Sequence, residues 1–133
     1  MSDSSLTPDV RTVYEQTSAI YTFTLKDMSA TPVVIPAADL RSFTLTLYDV
    51  TTGDIINSRD AQNILNANNV TVSAGGVVVY TMQPDDNVIV GAPAANKAES
   101  HGLQFRWTWG STPPYQAGEH QVVLSVVNRA KVG

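Results

Sequence analysis

The chain contains no cysteine, which excludes disulfide staples, thiolate nucleophiles and cysteine-ligated zinc. Charge is also sparse. Asp, Glu, Lys and Arg make up 15% of its 133 residues, against about 25% in a typical soluble domain. No apolar run approaches the ~18 residues that a membrane-spanning helix needs, so no membrane partner is expected. Residues 1–10, MSDSSLTPDV, lack the basic start and apolar run of a secretory signal. There is no Gly-x-Ser-x-Gly or Ser-x-x-Lys arrangement, and no glycine-rich phosphate loop leading into a helix. The eight basic residues are scattered, and the formal net charge is −4, which argues against nucleic acid as a partner because phosphate contact needs a clustered positive field. Neither an enzymatic activity nor a cofactor is expected.

What the sequence does have is alternation. LQFRWTWG (103–110) places Leu103, Phe105, Trp107 and Trp109 on one face of an extended strand, and Gln104, Arg106 and Thr108 on the other. A period of two marks a half-buried strand. Leu103, Phe105 and Trp107 are therefore assigned to the core, while Trp109 borders a glycine- and proline-containing loop at the rim. RSFTLTLYDV (41–50) alternates in the same way, with Phe43, Leu45 and Leu47 inward. RTVYEQTSAIYTFTLKD (11–27) reads as a further alternating stretch. VTVS (70–73), a turn at AGG (74–76) and VVVYTM (77–82) read as a hairpin. The last strand begins near Glu119, with Val122, Leu124 and Val126 inward. SRDAQNILNANN (58–69) lacks this period, and Ser58 or Asp60 is placed to cap one helical turn. QPDDNVIV (83–90) reads as a tight turn or 3₁₀ segment, and GAPAANKAES (91–100) as a mobile loop.

Seven to eight short strands separated by turns predict an all-β fold, an antiparallel immunoglobulin-like β-sandwich, with a small barrel as the competing architecture. Residues 1–10 read as a flexible N-terminal arm and 11–133 as one domain.

Few side chains invite chemistry. If residue 110 faces residue 119 in the last hairpin, His101 and His120 fall about 30 Å apart at strand ends. They then share no metal, and none is expected. Asp85 and Asp86 are adjacent and point apart on a strand, and Asp49 and Asp54 flank a turn, where aspartates bond their own backbone. Trp109 and Tyr115 form a candidate rim pair for a glycan. Val78, Val123 and Val127 fall on faces opposite the expected core, so they are the candidate protein interface.

Three stretches carry a resemblance: ILNANNVTVSAGGVVVYTMQPDDNVIV (64–90), HGLQFRWTWG (101–110) and GEHQVVLSVVNRAKVG (118–133). Together they resemble small virion proteins of tailed bacteriophages. These have a strand-turn-strand unit followed by Pro-Asp-Asp, a His-x-x-x-Phe-x-Trp strand, and a final Gly-x-His-x-Val strand. YTFTLKDMSATPVVI and FTLTLYDVTTGDII also resemble the N-terminal immunoglobulin-like module of phage baseplate proteins. The resemblance implies a non-enzymatic structural protein that folds in the host bacterial cytoplasm and ends in the virion. It is most similar to capsid cement or decoration proteins, which bind major capsid or connector proteins and act as homo-oligomers in the particle. A neck, tail or baseplate module, or a carbohydrate- or receptor-binding module on the virion, is the alternative. No catalytic residue comes with the resemblance.

Overall fold

The computed structural model describes residues 9–27, 29–91 and 98–128. The chain is all-β, with two sheets of five and three strands. The strands are β1 (Asp9–Tyr14), β2 (Ala19–Thr24), β3 (Leu40–Asp49), β4 (Gln62–Asn63), β5 (Val70–Val72), β6 (Val77–Met82), β7 (Ala98–Trp109) and β8 (Gln116–Val127). The large sheet runs β1-β8-β7-β3-β4 and the small one β2-β6-β5. Short 3₁₀ turns occupy Ala37–Asp39 and Pro84–Asn87.

The alternating residues meet where alternation sends them. Phe43, Leu45 and Leu47 of β3, Leu103, Phe105 and Trp107 of β7, and Val122, Leu124 and Val126 of β8 are all buried. They pack against Tyr21, Val78, Tyr80 and Met82 of the small sheet in one shared core. Aromatic rings bridge the two layers: Phe23 lies 4.9 Å from Phe105, and Tyr80 meets Phe105 edge-on at 6.2 Å. Such pairs add about 0.5–1.5 kcal/mol each beyond their area. Trp107 needs the empty position opposite it. It pairs with Gly118, and a Cβ there would fall inside the indole ring.

Several expectations need correction. The stretch 11–27 is not one strand. Gln16, at φ 52°, turns the chain, and β1 joins the large sheet while β2 joins the small one. The pairing is not wholly antiparallel either, because β1 runs parallel to β8 from Asp9↔Val122 to Tyr14↔Val127. Asp9 and Val10 therefore belong to a strand rather than to an arm. Residues 1–8 lie outside the described residues, as do 92–97 of the expected loop and 129–133 of the tail; Ala98, Glu99 and Ser100 belong to β7.

The segment 58–69 forms no helical turn. Positive φ at Asn57, Ser58, Ala61, Asn66, Asn68 and Asn69 bends it repeatedly, and asparagine tolerates that region best among non-glycine residues. Pro84–Asn87 is 3₁₀, as its sequence suggests. The last hairpin is offset by four residues from the expected register: Trp109 pairs with Gln116, and His101 with Leu124. Gly110, at φ 137°, turns the chain directly after Trp109, so β8 starts earlier than Glu119.

Candidate interaction surfaces

The buried polar side chains serve the fold. Asp86 is fully buried and accepts hydrogen bonds from Arg59 Nε (2.6 Å), Asn57 Nδ2 (2.7 Å), the Tyr80 hydroxyl (2.7 Å) and the Gln83 backbone N–H (2.8 Å). Arg59, 2% exposed, also donates to Gln62, to the Asn68 carbonyl and to Asn69. One ion pair thus ties the irregular 57–69 segment to the 3₁₀ turn and to β6. Burial pushes the Asp86 carboxyl up, but the four donors outweigh it and hold the group below its ordinary value. Burial and the neighbouring carboxylate both drive the Tyr80 hydroxyl upward, so it stays a donor. Asp49 accepts from the Thr51 N–H and the Thr52 hydroxyl and closes its own turn, as expected of a turn aspartate.

Both histidines differ from the expected solvated strand-end residues. His101 is fully buried, with Nε2 2.6 Å from Glu99, whose carboxylate also accepts the Val90 and Gly91 N–H groups. His120 is part-buried between the layers, stacked 4.2 Å from Phe23 and 2.6 Å from the Tyr21 hydroxyl. With His101 opposite Leu124 and His120 opposite Phe105, the two are four residues apart along the sheet, or about 13 Å rather than 30 Å. Among the described residues no group of three His, Cys, Asp or Glu is placed to hold a metal.

The three candidate valines separate. Val78 is fully buried in the shared core, so it is not available to a partner; Val77 and Val79 take the outward positions on β6. The six-residue β2–β6 register places Val78 opposite Phe23, and that fixes its side. Val123 and Val127 are half-buried on the outer face of the large sheet. Val123 pairs with Gly102, which pairs with Tyr48. The Tyr48 ring lies across Gly102 where a side chain would otherwise stand. Val127 lies between Ala98 and Tyr14, which is 51% exposed. Ser100, Ser125 and Thr12 fill the row between. Among the described residues this half of the outer face carries no charge. Its other half holds Arg106 and Glu119, 3.9 Å apart, with Gln104 and Gln121 bonded to Glu119. Tyr14 and Tyr48 were missed as companions of the two valines, because only pairing across β1, β8, β7 and β3 brings them to the same patch.

The two residues of the proposed rim pair sit in different surroundings. Trp109 is half-buried against the core. Tyr115 is 43% exposed, packs beside Gly110, and carries the Arg41 guanidinium 5.6 Å over its ring. No protein-family model and no curated protein matches this chain.

Proposed function

We propose that this chain is a non-enzymatic structural protein of a tailed-bacteriophage particle, of the capsid cement or decoration type. In this reading it is an immunoglobulin-like sandwich that docks on other virion proteins through the uncharged half of its large sheet. Two things support the reading. The first is the resemblance of residues 64–90, 101–110 and 118–133 to small virion proteins. The second is the strand order. The small sheet β2-β6-β5 and the large sheet β1-β8-β7-β3-β4 are compatible with an immunoglobulin-like sandwich that gains a strand at one edge.

The observation that carries docking is the outward row of Tyr48, Val123, Val127 and Tyr14. Uncharged and partly apolar, it lies on a surface whose charges sit elsewhere. Each valine is already half-buried, so covering the ~50 Å² it still exposes contributes about 1.3 kcal/mol before the cost of association. That favours docking at the local concentration of an assembling particle without requiring a stable oligomer in dilute solution.

The test is incorporation. Particles assembled with the Val123→Lys/Val127→Lys double variant are purified and their content of this chain is measured. A folded variant that no longer co-purifies with particles supports the docking face. Normal incorporation places the contact elsewhere, and absence of the wild-type chain from particles removes the virion reading altogether.

A further inference from the structure

A second concave surface lies at the opposite end of β7 from the docking face. It is a cleft of about 370 Å³ between the 3₁₀ turn that precedes β3 and the loop that joins β7 to β8, within the ~300–1,000 Å³ range of small-molecule sites. Its walls are tied together. The Gly110 N–H donates to the Asp39 carbonyl (2.9 Å), and Arg41 Nε donates to the Gly110 carbonyl (2.6 Å). The cleft is therefore shaped before anything enters it. Trp109 lines it, half-buried and anchored by packing on the core. Pro113 and Pro114 add apolar surface, and Asp39, Ser111 and Gln116 add polar groups. Arg41 does not line the cleft; its Nε bonds the Gly110 carbonyl and its guanidinium lies over the Tyr115 ring.

We propose that this cleft binds a neutral saccharide, with the Trp109 indole against the C–H face of a pyranose ring and Asp39 and Gln116 accepting and donating to its hydroxyls. The chemistry selects that class. An indole with two prolines suits a ligand with an apolar face. A single carboxylate, an amide and the Ser111 and Thr112 hydroxyls around it suit a ligand rich in hydroxyl groups. Among the described residues Asp39 is the one charged side chain that lines the cleft, so an anionic ligand would meet a carboxylate there. A metal ion would find one carboxylate where several oxygen ligands are needed. Tyr115, expected from the sequence to share the contact, instead supports Arg41 and the loop from outside.

The test uses the indole N–H signals of the two tryptophans in the ¹⁵N-labelled full chain. The Trp109 signal is assigned as the one lost in Trp109→Phe. Methyl glycosides of glucose, galactose, mannose and N-acetylglucosamine are titrated separately, with a polyproline peptide as the competing ligand. The expected result is that at least one glycoside shifts the Trp109 signal and leaves that of Trp107 in place. Its affinity, on the order of millimolar for so open a site, falls at least tenfold in Asp39→Ala and in Gln116→Ala. Both of these side chains lie outside the core, so the variants keep the fold. The proposal is overturned if no glycoside moves the Trp109 signal, if the shift survives unchanged in Asp39→Ala, or if only the polyproline peptide produces it.

Discussion

At the scale of single residues, the core tryptophan and the buried aspartate carry the most weight. Trp107 is 3% exposed and meets Phe43 on the neighbouring strand and Phe23 across the core. Trp107→Ala is expected to lower unfolding free energy by about 3–5 kcal/mol in chemical denaturation. Trp109→Ala should cost less, because Trp109 is only half-buried. An unchanged denaturation midpoint for Trp107→Ala would contradict the inward assignment. Asp86→Ala leaves a buried guanidinium, a tyrosine hydroxyl and a backbone N–H without their acceptor, and is expected to cost about 3–5 kcal/mol as well. The same carboxylate gives the fold a pH dependence. Its folded pKa lies below the ordinary value of 3.8. Its contribution is therefore fully present above that pH and is lost as pH falls through the folded value. Melting temperatures followed downward from neutral pH should fall more steeply below pH ~4 in the wild type than in Asp86→Asn, which has no carboxylate to protonate. Parallel profiles would place the acid sensitivity elsewhere.

At the scale of elements, β3, β7 and β8 were legible because each has one clean apolar face, and a period of two leaves only one way to bury it. The inward residues of β7 and β8 could be named from the sequence. The side of Val78 could not, because VVVYTM is apolar at five of its six positions and parity within it is ambiguous until β2 fixes the register. The hairpin offset was hidden for a related reason: QAGEHQVV has no apolar residue between Ala117 and Val122 to mark where the strand begins. The Arg59–Asp86 pair was illegible because its partners are 27 residues apart and both lie in polar stretches that read as solvated turns. The candidate surfaces were half legible. Val123 and Val127 follow from alternation, whereas Tyr14 and Tyr48 join them only through pairing across β1, β8, β7 and β3. Lysine substitution separates the two kinds of valine. Val78→Lys is expected to abolish cooperative unfolding, because it puts a charge in the core. Val123→Lys/Val127→Lys should retain the wild-type far-UV spectrum and a cooperative transition. Collapse of the second variant would place those residues inside.

At the scale of the whole molecule, the pairings that matter connect distant parts of the chain: β3 with β7, and β1 with β8. Loop closure over such separations must precede the contacts that reward it. Refolding is therefore expected in the millisecond-to-second range typical of β-rich domains rather than in microseconds. Stopped-flow tryptophan fluorescence reads this directly, and a microsecond phase carrying the full amplitude would contradict it. The parallel pairing of β1 with β8 also sets how the molecule bears load. Tension applied to the chain before Asp9 and after Asn128 pulls the two strands lengthwise past each other, since they run in the same direction over six paired residues. The inter-strand hydrogen bonds then resist together, in shear, instead of opening one after another like a zipper. A force across the strands would meet them singly. The domain is thus strong along one axis and weak along another, so the direction of a pull, and not only its size, decides whether the fold survives it.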